Sequence, residues 1–196
     1  MRVLTHRPKR RLPIRRGPGD LSECVRPEAS VPPAACVLTI RNRQRTRPVD
    51  LRWLGQIARE LVQRLPQISR IELGVFLIAD AEMTRINEAF LHHAGSTDVI
   101  TFDYSEPGTR NPELKSLHGE IFICVDEALR QARRFRTSWP SEIVRYLVHG
   151  VLHLLGYDDS RPAARRQMKR EENRQLRRLA DRFALSRLAR KPRLAS

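Results

Sequence analysis

Two closely spaced histidines are the residues of this sequence best suited to do chemistry. His149 and His153 lie in the segment HGVLHLLGYDD, and helical residues four apart project from one face, so both imidazoles can bind one ion. Gly156 is expected to end that helix and let the chain reverse, which brings Asp159 within reach as a third ligand. Three protein ligands leave a fourth zinc position for water. The spacing therefore predicts one catalytic Zn²⁺ per chain, with a zinc-bound water as the reactive group.

A purely structural role is the alternative for the same residues. Both histidines would then be core side chains, and Asp159 would only cap the following helix. Two imidazoles on an apolar helix each need a polar partner, and a shared metal ion satisfies both.

The residue after the first histidine argues against a peptidase. Zinc peptidases of the H-E-x-x-H type place a glutamate general base there, whereas this chain has Gly150, which cannot transfer a proton.

The helix that carries the histidines is predicted over residues 140–155, and apolar residues on all its sides indicate a central, buried position. The flanking patterns give the order β-α-β-α-β-β-α before it and one Arg-rich helix, residues 163–180, after it. This order predicts a single-domain α+β fold with a small, mixed four-stranded sheet packed with helices. The predicted strands are Cys36–Ile40, Ile71–Ala79, Thr97–Tyr104 and Gly119–Val125, and the predicted helix caps are Asp50, Asp80 and Asp126.

Charge is distributed unevenly along the 196 residues, whose net charge is +15. Residues 1–48 carry a net charge of +9 and residues 161–196 carry +10, whereas residues 49–160 carry −4. Two basic ends around a mildly acidic body predict a polyanionic partner, RNA or DNA. A general preference for arginine is the alternative explanation. Within the last helix, the candidate phosphate-binding residues are Arg165, Arg166, Lys169 and Arg170.

The two ends are predicted to lie outside the folded domain, which is expected to cover residues 36–182. Residues 1–35 hold six of the 13 prolines and many arginines, a composition typical of a disordered basic extension. A start of translation downstream of this segment is the alternative. Residues 183–196 are predicted to form a basic C-terminal tail.

The sequence also indicates where the protein acts. No apolar run approaches the ~18–20 residues of a membrane span, and the Arg-rich N-terminus lacks the apolar region of a secretory signal. The three cysteines, Cys24, Cys36 and Cys124, are odd in number and lack C-x-x-C spacing, which argues against a disulfide framework. Cys124 is expected to be a small buried residue. A cytoplasmic location without a membrane partner is therefore expected.

The metal motif resembles that of a known family. HGVLHLLGYDD closely matches the H-G-x-L-H-L-x-G-Y-D-H signature of the YbeY endoribonucleases, the bacterial ribosomal RNA maturation factors. Asn87 with the segment TDVITF at residues 97–102, and the segment GEI at residues 119–121, are similar to two further motifs of that family. The resemblance covers about residues 36–180. It implies a metzincin-like zinc-binding helix with His149, His153 and Asp159 as ligands.

The same resemblance implies a function. The expected activity is that of a single-strand-specific, zinc-dependent endoribonuclease in late small-subunit ribosomal RNA maturation and ribosome quality control. Its expected partners are ribosomal RNA and the small ribosomal subunit. Two other functions stay open: a non-catalytic RNA-binding assembly factor with a structural zinc, and a zinc peptidase, which Gly150 disfavours.

This chain departs from the family pattern at two positions. The third ligand is usually histidine, whereas Asp159 adds negative charge and is expected to make a zinc-bound water less acidic. The arginine usually found four residues after the motif asparagine is replaced by Leu91, which His92 and His93 follow. His93 is the candidate catalytic residue on this segment, and an ordinary surface histidine is the alternative.

Overall fold

A mixed β-sheet is the framework of the computed structural model, which describes residues 5–6, 35–65, 68–105 and 115–189. The strand order is β1-β4-β5-β3-β2; β2, β3 and β5 are parallel, β4 is antiparallel to β5, and β1 is parallel to β4. The strands are β1 Thr5–His6, β2 Ala35–Asn42, β3 Ile68–Ile78, β4 Val99–Asp103 and β5 Lys115–Cys124. The helices are α1 Leu51–Gln63, α2 Asp80–Ile86, α3 Val125–Phe135, α4 Trp139–Leu154 and α5 Pro162–Arg182.

The predicted α+β architecture is confirmed, with four long strands and five helices in the predicted order. The sheet has one strand more than predicted, because the two residues of β1 pair with Thr101 and Phe102 at the edge of β4. Strand β5 begins at Lys115, four residues before the predicted start at Gly119. Residues 106–114 and the rest of the predicted N-terminal extension lie outside the described residues.

The sheet is covered differently on its two faces. Alternate residues of β3, Ile71, Leu73, Val75 and Leu77, point into the main core, which α1 and α4 complete. The opposite face near the end of β3 holds a smaller apolar cluster under α2, built around Ile78 and Met83. Helix α4 contacts β4, β5 and the helices α1, α3 and α5, so its nearly continuous apolar surface is buried, as predicted.

Two of the three predicted aspartate caps are wrong. The two side chains, Asp80 and Asp126, instead join neighbouring helices. Asp50 caps α1 by accepting from the backbone N–H of Trp53 at 2.9 Å, as predicted. Asp80 is the first residue of α2 and caps nothing with its side chain. Helix α3 begins so close to β5 that the Cys124 sulfur takes the cap position, and Asp126 instead accepts from the Asp80 N–H at 2.8 Å. Asp126 thus satisfies a free donor at the start of α2 rather than of its own helix.

The helix that begins at Asp80 changes type halfway. It is α-helical to Ile86 and continues as a π-helical turn, Asn87–Leu91, that ends at His92 in the left-handed conformation with φ 54°. Wider turns of this kind occur mostly as single turns in longer helices. The side chain of Asn87 donates to the backbone carbonyl of Gly95 at 2.7 Å, which closes the loop that follows.

The folded domain extends beyond the predicted boundary at residue 182. A short 3₁₀ segment, Leu185–Ala189, packs on the start of α1, with Leu188 fully buried. The Leu188 carbonyl accepts from the Asp50 N–H at 3.0 Å, so this segment completes the N-terminus of α1. Residues 190–196 of the predicted tail lie outside the described residues. In the described part of the chain, no helix has both the length and the apolar character that crossing a membrane requires.

Candidate metal centre

The last two turns of α4 and the reversal after it bring the three predicted ligands together. His149 and His153 lie one turn apart and are 4% and 7% exposed. The helix ends at Leu154, and Gly156 adopts a φ of 88°, a left-handed conformation that favours glycine, before the chain turns back. The ligand atoms of His149, His153 and Asp159 all lie within 4.8 Å of one another.

The two imidazoles face each other through their Nε2 atoms, which are 3.0 Å apart. Asp159 Oδ1 lies 4.0 Å from Nε2 of His153. Burial and the neighbouring His149 lower the pKa of His153 to about 4, although Asp159 and a hydrogen bond to the Tyr157 backbone act in the opposite direction. His153 is therefore neutral at physiological pH, as a metal ligand must be.

A buried carboxylate that the sequence did not single out orients the first histidine. Glu172 of α5 is 1% exposed, and its Oε2 lies 3.0 Å from Nδ1 of His149. A carboxylate in this position keeps the proton on Nδ1, which leaves the lone pair of Nε2 facing the other two ligands. Glu172 is thus a positioning residue behind the candidate metal centre.

Glu172 is itself held by two cations. Its Oε1 accepts from Arg145 Nη1 at 2.6 Å and from Lys169 Nζ at 2.7 Å. Burial raises the pKa of the Glu172 carboxyl, but the hydrogen bonds with His149, Lys169 and Arg145 outweigh it and bring the pKa to about 2. The carboxylate is consequently charged at any physiological pH, which makes it a stable partner for the histidine.

These contacts fit a bound metal ion. Nδ1 of His149 faces Glu172, so its Nε2 presents a lone pair towards Nε2 of His153, 3.0 Å away. A cation bound by both nitrogens would use this lone pair and that of a neutral His153. Two nitrogens bound to one tetrahedral zinc ion are roughly 3.3 Å apart. Two histidines and one carboxylate are also a ligand set that zinc accepts.

The loop that carries Asp159 is fastened to α5. Arg165, predicted to bind phosphate, donates through Nε to the backbone carbonyl of Asp159 at 2.9 Å. Asp158 next to it accepts from the backbone N–H and the hydroxyl of Ser160, at 2.8 and 2.6 Å. Both contacts limit the freedom of the third ligand.

A second group of metal-ligand types, Asp80, Cys124 and Asp126, occurs where α2 meets α3. Its oxygens are already paired: Asp80 accepts twice from Arg130, at 2.7 and 2.8 Å, and Asp126 accepts from Thr46 and from the Asp80 N–H. Burial raises the pKa of the Cys124 thiol to about 12, so the sulfur stays protonated. Cys124 is fully buried, as predicted, and this group joins two helices.

Comparison with known proteins identifies the family. The sequence model described as Endoribonuclease YbeY matches residues 39–180, which is most of the chain. The chain belongs to the YbeY family. An Endoribonuclease YbeY of Salinibacter ruber is 30% identical over 141 residues, covering 71% of this chain and 89% of that relative.

Other relatives match over shorter segments. The YbeY of Chlorobium phaeovibrioides is 43% identical over 95 residues, and that of Anaeromyxobacter sp. is 41% identical over 101 residues. The chain spans only 60% and 50% of the length of these two relatives. A solution structure of a Thermotoga maritima protein shares the fold with a TM-score of 0.56 at 20% identity, over 82% of this chain and all of that one.

The other predicted site residues of this YbeY chain are dispersed. His93 is exposed and does not belong to the ligand group. Lys169 pairs with Glu172. Arg166 and Arg170 are exposed and, within the described ranges, make no hydrogen bond or ion pair, so their charges are available to a ligand. The structure therefore divides the four predicted phosphate contacts into two that support the centre, Arg165 and Lys169, and two that are free.

Leu91, which replaces the arginine common in the YbeY family, is half-buried and packs against the small apolar cluster under α2. It follows Asn87 by four residues along the π-helical turn. An apolar side chain at this position adds to the core and supplies no cation to the site.

Glu172 and Arg145 are the residues that sequence reasoning missed. Glu172 lies among arginines in a helix that looks solvated, and Arg145 interrupts the apolar pattern of α4 one turn before His149. Arg145 is therefore the one sign of this contact in the sequence, because a charge on a buried helix needs a buried partner of opposite sign. The sequence did not show which acid that partner is.

Proposed function

We propose that this YbeY chain is a single-strand-specific, zinc-dependent endoribonuclease of ribosomal RNA maturation, with one Zn²⁺ held by His149, His153 and Asp159. The observation that carries the proposal is the convergence of these three residues, with both histidines buried and Glu172 behind His149. The proposed setting is late maturation of small-subunit ribosomal RNA and ribosome quality control. The proposed partners are therefore ribosomal RNA and the small ribosomal subunit, in the cytoplasm.

Each residue has a distinct part in the proposed mechanism. His149, His153 and Asp159 would hold a zinc ion, which would lower the pKa of a water towards ~7 and polarise a phosphoryl oxygen. Glu172 keeps the proton of His149 on Nδ1, so that Nε2 is free to bind. The exposed cations of α5, Arg166 and Arg170, attract the RNA backbone. His93 is proposed as a further candidate to act on the substrate.

Gly150 disfavours peptide hydrolysis for a second reason besides its missing side chain. A Cβ at this position would lie 2.8 Å from Cγ2 of Ile121, in the packing between α4 and β5. The site where a peptidase carries its glutamate base is therefore filled by the core. A non-catalytic assembly factor with a structural zinc is the second proposal, because this chain differs from the family pattern at Asp159 and Leu91.

The deciding experiment measures metal content and RNA cleavage on the same protein. We expect about one zinc per purified chain and cleavage of a single-stranded small-subunit ribosomal RNA fragment. His153→Ala is expected to lose most of the metal and the cleavage while retaining RNA binding. The matched control is His118→Ala, which alters an exposed histidine on β5 that contacts Tyr104.

Three outcomes separate the proposals. Zinc with RNA binding but no cleavage supports the assembly factor. Absence of metal from protein purified without chelator contradicts the metal centre. Equal loss of cleavage in the His118→Ala control would show that the assay reports general damage to the fold and not the centre.

A further inference from the structure

A cavity of about 500 Å³ lies beside the candidate metal centre, between α3, α4 and α5. Arg145 and Tyr146 of α4 line it, and Lys169 lines it from α5. Tyr146 precedes His149 by three residues, so the two side chains share a helix face about 4.5 Å apart along the axis. A strand of RNA at the metal ligands would therefore have its neighbouring nucleotide at this cavity.

The inner wall of the cavity presents polar groups without partners. Tyr146 is 1% exposed, and its hydroxyl has no hydrogen-bond partner among the residues that the structure describes. A buried hydroxyl without a partner is costly, which indicates a place for a polar ligand atom.

Asp98 contributes a buried carboxylate to the same wall and is 7% exposed. The hydrogen bonds from the Thr97 hydroxyl and the Val99 N–H, at 3.1 and 3.0 Å, both end on Oδ1. No described residue donates to Oδ2. Burial raises the pKa of Asp98, because the charged form lacks solvation there. A ligand that donates a hydrogen bond to Oδ2 would offset part of this cost.

The mouth of the cavity has an exposed aromatic ring next to a free cation. Phe135, at the end of α3, is 61% exposed, which is unusual for so large an apolar side chain. The guanidinium of Arg134 lies 5.4 Å from its ring centroid, and across the described ranges Arg134 has no acidic partner. Proteins that bind single-stranded nucleic acids use this combination: the aromatic ring stacks on a base, and the arginine contacts a phosphate.

We propose that this cavity is a subsite for one nucleotide of a single RNA strand and prefers a base with an exocyclic amino group. The base stacks on Phe135, its amino group donates to Oδ2 of Asp98, and Arg134 attracts its phosphate. Uracil carries a carbonyl oxygen at C4, where cytosine has its amino group, so uracil would place an acceptor against the carboxylate. The assignment of RNA as the ligand rests on the proposed function and adds a base preference to it.

The test compares two mononucleotides that the enzyme cannot cleave, because they contain no phosphodiester bond. Binding of CMP and UMP to the purified full-length chain is measured by NMR titration. Both carry the same phosphate, so any contact between that phosphate and a metal cancels in the comparison. We expect CMP to bind roughly tenfold more tightly than UMP, the size of one hydrogen bond to a charged group.

Substitutions test which residues cause the preference for CMP over UMP. Asp98→Asn keeps an acceptor for the Val99 N–H but is expected to bring the CMP-to-UMP ratio close to one. Phe135→Ala is expected to weaken both nucleotides roughly tenfold, the cost of one lost stacking contact. The matched control is Phe90→Ala, which removes another exposed ring, 49% exposed, that packs on Phe102 in the small apolar cluster. Tyr146→Phe is expected to weaken CMP binding without lowering the melting temperature.

The outcomes distinguish this subsite from the proposed activity. Equal affinity for CMP and UMP, or no binding of either up to about 10 mM, overturns the subsite even if the chain cleaves RNA. A preference for CMP that depends on Asp98 supports the subsite even if cleavage is absent. An effect of Phe90→Ala equal to that of Phe135→Ala contradicts the assignment of the stacking surface.

Discussion

The Glu172 carboxylate lies 3.0 Å from Nδ1 of His149, although the two residues belong to different helices and are 23 positions apart. The contact joins α5 to the end of α4 that carries the candidate ligands, and it leaves Nε2 as the free nitrogen of His149. Glu172 is in turn held by Arg145 and Lys169. The candidate metal centre therefore depends on three charged residues that are not ligands themselves: Glu172, Arg145 and Lys169.

Replacing the Glu172 carboxylate tests whether these residues support metal binding. Glu172→Gln removes the charge that fixes the His149 proton, so we expect zinc affinity to fall 10- to 100-fold, the usual range for outer-shell partners. Chelator competition measures this affinity. The control is Glu171→Gln on the same helix, where the carboxylate pairs with Arg174 and Gln175 at the surface. Equal zinc affinity in the two variants would remove Glu172 from the site.

Arg165 is expected to support the metal rather than the RNA. Its hydrogen bond to the Asp159 carbonyl is absent in Arg165→Met, and loss of about 1 kcal/mol corresponds to roughly fivefold weaker zinc binding. Arg166→Met, at the neighbouring free cation, is expected to leave zinc affinity unchanged and to lower RNA affinity. The opposite pattern, with Arg165→Met weakening only RNA binding, would restore the role that the sequence predicted for Arg165.

Two helical glycines are expected to respond to alanine in opposite directions. In Gly150→Ala the new methyl would meet Cγ2 and Cδ1 of Ile121 at 2.8 and 2.9 Å, so we expect a loss of about 1–3 kcal/mol in the free energy of unfolding. In Gly55→Ala the nearest atom, Cδ1 of Ile40, is 3.7 Å away, and a gain of about 0.5–1 kcal/mol is expected. Urea denaturation measures both. Stabilisation by both substitutions would show that the packing of α4 on β5 is looser than described.

Acid sensitivity is expected at the contact between α2 and α3. Hydrogen bonds from Arg130 hold the pKa of Asp80 well below its usual 3.8, against the effect of burial. Since the pKa is lower in the folded state, the pair stabilises the protein above pH 3.8, and this contribution is lost as the pH falls below that value. Asp80 is 42% exposed, so solvent screening limits the contribution to about 0.5–1 kcal/mol.

Asp80→Asn provides the measurement for that pair. Its free energy of unfolding is expected to lie below that of the wild type at pH 7, and the difference is expected to shrink as the pH falls below 4. The control is Asp181→Asn on α5, which alters an exposed carboxylate without an ion pair in the described part of the chain. A difference that stays constant down to pH 2 would mean that Asp80 stabilises the contact by packing and not by its charge.

Local pattern in the sequence was sufficient to predict the framework and to predict that the three candidate ligands lie close together. The order of elements follows from apolar periodicity, a property of neighbouring residues, and the structure confirms it. His149 and His153 are brought together by the helical repeat alone, and Gly156 turns the chain so that Asp159 can approach them. His149 and Asp159 are only ten positions apart, so the backbone geometry of one helix and one turn determines how the three residues meet.

The residues that complete the site are separated in sequence, and only the tertiary structure decided them. Glu172 becomes the partner of His149 because α5 packs on α4, and Asp126 serves α2 because the end of β5 lies beside that helix. The cavity wall joins Asp98 of the loop before β4 to Tyr146 of α4 in the same way. Such contacts depend on how helices and strands pack across the core, and a periodic pattern within one element does not specify which residues of another element it will meet.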